Sequence, residues 1–323
     1  MAEYKGIHGT KIQNYTSDPA NPLTGQVWYN STSNSLKALS FSTGTWATSG
    51  NLNTAREFMG GAGTQAAALG FGGGPPGTAV TELYNGSNWT EVNDLNLARY
   101  WVGSCGTSTA ALAFGGGVPP PSPALTRVET ETWNGTNWTE VNDLSTARYG
   151  LGGAGTTTAA LAFGGNTPPA TAATELWNGT NWTEVNDLNT ARYGPGGAKS
   201  GTSTATLAFG GSGPTGATEL WNGTNWTEVN DMNVARGEAA GAGTQTAALC
   251  MMGNKYPALN QTESWNGTNW TTVANSNVGR YGPGGAGINT AALAFGGDED
   301  PSPPSNATEE FNAGPVTVTF DVS

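Results

Sequence analysis

Short apolar runs that alternate bulky and small residues recur through most of this chain. In TAALAFGG at 158–165, Leu161 and Phe163 point to one side and the intervening alanines to the other, which predicts a β-strand with one large and one small face. The preceding stretch at 150–156, GLGGAGT, is nearly all Gly and Ala. Such a sequence predicts a strand that packs closely against neighbouring backbone.

Two more strands follow in the same unit. ATELW at 173–177 and NWTEV at 181–185 alternate polar and apolar positions, and Asn178-Gly179 between them is the signal of a tight hairpin turn with positive φ. The segment after the second strand, NDLNTAR, leads into the next glycine-rich stretch. One unit therefore consists of four consecutive strands.

This unit repeats along the chain. TELWNGTNWTEVNDLNTARYG at 174–194 returns almost unchanged at 218–238. One tryptophan per copy marks a period of 43 to 49 residues: Trp46, Trp89, Trp138, Trp182, Trp226 and Trp270. A four-stranded unit with this period predicts an all-β propeller, in which each copy forms one blade.

The number of blades depends on the two ends of the chain. Stretches at 9–16, 26–30, 35–41 and 44–48 can supply four strands, and PVTVTFDVS at the C-terminus can supply the outer strand of the last blade. This favours seven blades, with residues 1–49 as an atypical first blade and 50–323 closing the ring. The alternative is six blades, one of them shared between the termini, with residues 1–34 as an appendage.

The repeat resembles the kelch repeat. The glycine pair Gly164-Gly165 after an apolar strand, the aromatic Trp177 and the spaced Trp182 match the kelch pattern in register over roughly residues 50–312. The resemblance implies a kelch-like propeller of four-stranded blades. It implies no single function, because propellers serve binding and catalysis alike.

A second resemblance concerns residues 17–46. This stretch has a Pro-rich start, the pattern Gly-x-x-Trp-Tyr ending at Tyr29, an apolar strand and then Gly-x-Trp ending at Trp46. It resembles a module common near the start of bacteriophage tail-fibre and other virion proteins. The resemblance implies that the protein belongs to a virion.

Charge and composition disfavour some classes of binding partner and cellular location. The formal net charge of −12 disfavours a nucleic-acid backbone or an anionic membrane surface as partner. No apolar run is long enough to span a membrane, and MAEYKGIHGT lacks the apolar stretch of a signal peptide. We therefore expect synthesis in a cytoplasm and a final place on a virion or outside the cell.

Arginine recurs at one position of the repeat. Six of the seven arginines share it: Arg56, Arg99, Arg148, Arg192, Arg236 and Arg280. Glutamates recur as well, Glu175 and Glu219 among them. One copy per blade predicts a structural Arg–Glu or Arg–carbonyl clamp between blades, because a binding site usually breaks the symmetry; the alternative is a ring of cations that binds an anion at the axis.

Residues for catalysis are sparse. His8 is the only histidine, so neither a histidine-based triad nor a three-histidine zinc site can form, and the histidine ligands of copper oxidases with kelch repeats are missing. The acidic loop residues Asp298, Glu299 and Asp300 could hold Ca²⁺ or take part in hydrolysis, although a solvated loop is the simpler interpretation. We predict no enzyme activity, no cofactor and no resident metal.

Recognition residues are expected where the repeats differ. The loops after the glycine pairs vary in length and chemistry, and all should emerge on one face. Two aromatic residues, Phe58 and Trp101, also replace the glycines of the sister repeats and could stack on a sugar, although they could equally fill a local gap. The candidate loop residues are Pro119, Pro120, Arg127, Lys255, Tyr256, Asp298, Glu299 and Asp300.

These observations favour a non-enzymatic binding propeller on a phage virion that attaches to a host glycan or protein. The first alternative is a structural decoration or fibre subunit that assembles with copies of itself. The second is a carbohydrate-active enzyme. Expected partners are the host surface and other virion proteins, with a homo-oligomer possible.

Overall fold

The structure is a computed structural model that describes residues 12–20, 26–118, 125–254, 257–300 and 303–320. Over these residues the regular secondary structure consists of β-strands. No helix among them is long and apolar enough to cross a membrane. The predicted all-β class is therefore confirmed.

Thirty strands follow one another along the chain. In chain order they are β1 Gln13–Tyr15, β2 Val27–Asn30, β3 Ser35–Phe41, β4 Thr45–Ser49, β5 Gly60–Thr64, β6 Ala67–Phe71, β7 Thr81–Tyr84, β8 Trp89–Val92, β9 Gly103–Gly106, β10 Ala111–Phe114, β11 Gly117–Val118, β12 Leu125–Thr126, β13 Thr130–Trp133, β14 Trp138–Val141, β15 Gly152–Thr156, β16 Ala159–Phe163, β17 Thr174–Trp177, β18 Trp182–Val185, β19 Gly196–Gly197, β20 Thr206–Phe209, β21 Thr218–Trp221, β22 Trp226–Val229, β23 Ala240–Thr244, β24 Ala247–Met251, β25 Thr262–Trp265, β26 Trp270–Val273, β27 Gly284–Ile288, β28 Ala291–Phe295, β29 Thr308–Asn312 and β30 Pro315–Phe320.

Six antiparallel four-stranded sheets form the blades of a propeller. From the inner to the outer strand they are β5-β6-β7-β8, β9-β10-β13-β14, β15-β16-β17-β18, β19-β20-β21-β22, β23-β24-β25-β26 and β27-β28-β29-β4. We number them blades one to six in this order. The short pair β11-β12 lies in the loop between β10 and β13 of blade two.

The ring closes with six blades. Each innermost strand contacts the next in the order β5, β9, β15, β19, β23, β27, and β27 contacts β5 again. Blade six takes its outer strand from the N-terminal part of the chain, since β4 pairs with β29 through Trp46 opposite Phe311. The described residues form seven four-stranded sheets, the number that the favoured count expected, and six of them close this ring. The six-blade alternative, with one blade shared between the termini, describes it.

The seventh sheet is a separate unit made from both ends of the chain. Its order is β1-β2-β3-β30, with β1 parallel to β2 and the other pairs antiparallel. The compact units are Met1–Thr43 with Ala313–Ser323, and Gly44–Asn312. The predicted division into 1–49 and 50–323 therefore needs correction. β4 completes a propeller blade, and β30 pairs with β3 instead of closing the ring.

The hydrophobic core lies between neighbouring blades. In five of the six blades the second strand ends in a phenylalanine that packs against the outer tryptophan of the following blade, as in Phe71 on Trp138 with ring centroids 4.8 Å apart. In blade five this strand ends in Met251. The Trp138 indole N–H also donates to the Thr81 hydroxyl of the preceding blade at 3.0 Å. Four further Phe–Trp pairs repeat this arrangement around the ring. The recurring tryptophans therefore hold each blade to its neighbour.

Backbone crowding at the axis explains the glycine-rich strands. A Cβ atom on Gly241 would lie 2.1 Å from the Gly197 carbonyl oxygen of the preceding blade. A Cβ atom on Gly61 would lie 2.7 Å from the Gly285 oxygen. Neighbouring innermost strands thus touch through their main chains, and most positions there accept no side chain.

The six recurrent arginines are buried and each forms an ion pair with a buried glutamate. Arg280 donates through Nη1 to the Gly296 and Ala307 carbonyls at 2.7 Å each, and through Nη2 to Glu309 at 2.9 Å. The pairs are Arg56–Glu82, Arg99–Glu131, Arg148–Glu175, Arg192–Glu219, Arg236–Glu263 and Arg280–Glu309.

The geometry refines the predicted clamp. Arg280 stands in the segment that leads into blade six, and its side chain bonds only atoms of that blade. The tie to the neighbour runs through its main chain, since the Gly253 N–H of blade five donates to the Arg280 carbonyl at 2.9 Å. These buried pairs hold the connecting segments in place.

Removal of one recurrent arginine should destabilise the propeller strongly. Arg192→Ala leaves Glu219 buried without its cation, which costs about 3–5 kcal/mol and lowers the melting temperature by on the order of 10 °C. Arg127→Ala is the matched control. Its partner Glu129 is 3.3 Å away and both side chains are partly exposed, so about 0–1 kcal/mol is expected. Calorimetry that gives equal small shifts for the two variants would contradict the clamp.

Candidate functional site

One end of the propeller axis carries a closed ring of backbone hydrogen bonds. Each blade contributes one residue, and each N–H donates to the carbonyl of the preceding member at 2.7 to 2.9 Å, from Phe58 round to Gly282 and back. All six residues have φ between 51° and 63°. We call this set the axial ring: Phe58, Trp101, Gly150, Gly194, Glu238 and Gly282.

Three members of the axial ring are not glycine. The left-handed conformation costs an L-residue roughly 1–2 kcal/mol, so Gly is the expected residue at each position. Phe58, Trp101 and Glu238 nevertheless occupy three of the six positions, with φ of 51°, 56° and 56°. Strain of this kind concentrates at functional sites, and here it places three large side chains at the end of the axis.

The two aromatic members stack on each other. The Phe58 and Trp101 rings lie 3.9 Å apart and nearly parallel, with an interplanar angle of 13°. Tyr149 and Tyr193 approach Trp101 edge-on at 6.0 and 5.9 Å, and Tyr281 lies 5.8 Å from Phe58. All five side chains are half-buried. We call this group the aromatic platform.

The variable loops surround this platform. Isolated bridges join the residue after five of the six clamp arginines to the start of the variable loop of the same blade, as in Tyr149 with Asn166 and Tyr281 with Asp298. Because the loops begin at these bridges, they leave the blades at the same end as the axial ring. The geometry thus brings the loops together with Phe58 and Trp101.

The other predicted loop residues make contacts within their own loops or lie outside the described residues. Asp298 accepts a hydrogen bond from the Tyr281 hydroxyl at 3.1 Å and another from the Asp300 amide at 2.8 Å. Glu299 lies between them in the same loop. Arg127 pairs with Glu129 of its own blade. Four predicted residues lie outside the described residues: Pro119, Pro120, Lys255 and Tyr256.

Two carboxyl groups that were not among the predicted site residues lie at this end of the axis. Glu57 is buried, and burial together with the neighbouring Asp298 and Glu238 carboxylates raises its pKa to about 8. Burial also raises the pKa of Glu238, whose Oε2 accepts a hydrogen bond from Asn254 at 3.2 Å. Both could have been noticed, because Glu57 stands where most repeats have tyrosine and Glu238 where three have glycine.

These acidic groups form no metal site of their own. Among the described residues, no group of three or more His, Cys, Asp or Glu side chains has the arrangement to hold a metal ion. Proton retention on Glu57 instead relieves the repulsion between the crowded carboxyl groups. The described part of the site therefore offers aromatic faces and hydrogen-bonding groups.

The axis is obstructed further along by Lys199, which sequence analysis also overlooked. Lys199 and Ser200 are two extra residues of this repeat. The sequence GGAKSGT at 196–202 corresponds to GGAGT at 152–156. The Lys199 ammonium donates to the Gly61 carbonyl at 3.1 Å and the Ser104 hydroxyl at 3.2 Å, across the ring from its own blade. Loss of hydration lowers the pKa of Lys199 to about 8.

A small cavity lies between Lys199 and the axial ring. Its volume is about 90 Å³, and Phe58, Trp101, Ser104 and Glu238 are among its lining residues. This is room for a few water molecules and too little for a sugar or peptide. A sugar or peptide therefore does not fit inside this cavity.

Comparisons with known proteins identify the fold. No protein-family model matches the chain, and no curated protein matches it. The chain is similar to a solved structure of YjhT, with a TM-score of 0.66 and 10% sequence identity, over 80% of this chain and 95% of that one. At this identity the likeness supports the propeller fold and carries no function.

Glu57 should make the stability of the protein depend on pH. In the unfolded chain this carboxyl titrates near 4.5, and in the folded protein near 8. The folded state binds the extra proton between these values, so stability falls as pH rises through this window, by at most about 1.4 kcal/mol per pH unit.

Glu57→Gln should remove this contribution. Denaturant titrations at pH 5 and pH 8 should therefore show a smaller loss of unfolding free energy in the variant than in the wild type. Identical losses in both proteins would mean that Glu57 titrates normally. Glu184→Gln, at an exposed position of an outer strand, is the control for the change of charge.

Proposed function

We propose that this protein is a recognition propeller, which binds a glycan or protein of a host surface at the aromatic platform and does not act as an enzyme. One observation carries the proposal. Phe58 and Trp101 hold strained left-handed conformations at positions where glycine would serve the fold, and their rings lie partly exposed among the variable loops.

The chemistry of the platform suits carbohydrate. Aromatic faces pack against the C–H groups of a sugar ring, and tyrosine adds a hydroxyl for polar contacts. The Asn166 amide donates to the Tyr149 hydroxyl at 2.8 Å, which orients that ring. A rigid platform of this kind loses little conformational entropy when a ligand binds.

We further propose that the protein acts on a virion, where the unit formed by both ends of the chain joins it to other virion proteins. Support comes from the resemblance of residues 17–46 to a virion module. Residues of this stretch fold into the β2-β3 hairpin, and β30 from the C-terminal end pairs with β3. Attachment through this unit would leave the propeller available for recognition.

Substitution of the platform tests the binding role. Trp101→Gly should lower affinity for the recognised glycan or host cell by at least about tenfold, a loss of about 1.4 kcal/mol. The fold should persist, because glycine occupies the equivalent position in three other blades. Binding would be measured on an array of bacterial surface polysaccharides and on whole cells, with Phe58→Gly as a second variant.

The matched control is Ile288→Ser. Ile288 is an exposed apolar residue in the hairpin at the opposite end of the blade strands, and its exchange should leave binding unchanged. If Trp101→Gly binds as the wild type does while Ile288→Ser loses affinity, recognition lies on the hairpin side and the proposal is wrong. Cleavage of a bound polysaccharide would instead favour the enzyme alternative.

A further inference from the structure

Blade five departs from the others beside the axial ring. In blade five the residue that follows the clamp arginine is Gly237. In the other blades this position holds a large side chain: Glu57 in blade one, and Tyr100, Tyr149, Tyr193 and Tyr281 in blades two, three, four and six. This glycine does not have positive φ. A Cβ atom there would lie 2.6 Å from the Gly211 carbonyl oxygen of blade four. Blade five therefore lacks a side chain where every other blade presents a large one.

The neighbouring residues respond to the missing ring. In blade three the Asn166 amide donates to the Tyr149 hydroxyl at 2.8 Å. Asn254 holds the equivalent place in blade five and makes the same backbone bridge, with Gly237 as its partner. In blade five the Asn254 amide donates to Glu238 Oε2 at 3.2 Å. This bond directs the Glu238 side chain toward blade five.

An open pocket lies beside Gly237. Its volume is about 240 Å³, and it is lined by Tyr193, the short loop 212–214, Gly237, Glu238 and Asn254. This is smaller than the roughly 300–1,000 Å³ of pockets for drug-sized molecules, so it suits one sugar ring rather than several. The pocket adjoins the aromatic platform, because Tyr193 belongs to both.

We propose that this pocket is the primary subsite for the glycan and takes a single neutral or amino-substituted hexopyranose unit. This inference rests on the proposed function. The Tyr193 ring forms one wall for the C–H face of the sugar. The two Glu238 carboxylate oxygens accept hydrogen bonds from adjacent hydroxyl or ammonium groups, and the Ser212 hydroxyl can donate or accept.

The carboxyl group also sets the selectivity of this subsite. Glu238 is the carboxyl side chain among the described lining residues. A uronic or sialic acid would bring a like charge beside Glu238, which is unfavourable in a partly buried site. An ammonium group on the sugar would be favoured for the same reason.

Monosaccharide binding tests the selectivity. Saturation-transfer NMR on the full chain would compare methyl glycosides of glucose, galactose and mannose with glucosamine and with methyl glucuronide. The wild type should bind a neutral or amino sugar at least about tenfold more tightly than the glucuronide. Glu238→Gln should reduce this preference to about threefold or less, and Glu238→Gly should weaken binding of the preferred sugar. Glu184→Gln should change neither property.

The outcomes separate this inference from the proposed function. If Trp101→Gly abolishes glycan binding but both Glu238 variants bind as the wild type does, the subsite is wrong and the recognition role stands. Tighter binding of glucuronide than of neutral sugars by the wild type would also overturn the subsite. Absence of any glycan or cell binding by the wild type would overturn the recognition role, and the subsite with it.

Discussion

Crowding at the axis is the constraint on which this structure depends. Six innermost strands meet there, close enough that a methyl group on Gly241 would lie 2.1 Å from the main chain of the preceding blade. Large side chains are excluded along most of this length, so these strands consist mostly of Gly and Ala, with Ser104 and Cys105 of β9 as small exceptions. Large side chains approach the axis near the ends of these strands, and there the repeats differ: Phe58, Trp101 and Glu238 at one end and Lys199 further along.

The remaining interior reinforces the same symmetry. Five of the six contacts between blades share a Phe–Trp pair and a Trp–Thr hydrogen bond, and each blade holds a buried Arg–Glu pair of its own. Substitution of one partner of a buried ion pair leaves the other charge buried and unpaired, which destabilises the fold strongly. The Arg–Glu pair of each blade therefore tolerates little change. The repeats therefore differ in sequence mainly at the ends of the axis and in the loops, which are also the surfaces that a ligand can reach. The residues that stabilise the propeller are thus different from the residues of the candidate site, because the former are buried and the latter lie at the surface.

Much of this could be predicted from the sequence. The strands, the burial of the clamp arginines and the position of Phe58 and Trp101 as departures from glycine all follow from local patterns repeated in register. The number of blades in the ring could not be predicted in this way. The alternation of residues predicts where strands occur but not which distant strands pair with each other. PVTVTF could close the ring as well as pair with β3, and only the observed pairing of β4 with β29 decides between them.

The polar part of the site was missed for a different reason. Glu57, Gly237 and Glu238 are visible as exceptions when the repeats are aligned, yet each is an ordinary surface residue by composition. Their meaning depends on distances: Glu57 beside Asp298, Glu238 within reach of Asn254, and Gly237 against blade four. Lys199 crosses the ring in the same way, and no pattern along the chain shows which blades it reaches.

Hydroxyl-radical footprinting of the protein with and without its glycan ligand tests the central claim, recognition at the axial end, most directly. The method measures the accessibility of individual aromatic side chains. Trp101, Tyr193 and Tyr281 should become protected when the ligand binds, while Tyr29 in the terminal sheet should keep its reactivity. Unchanged reactivity of the three platform residues in a ligand-saturated sample would contradict the account.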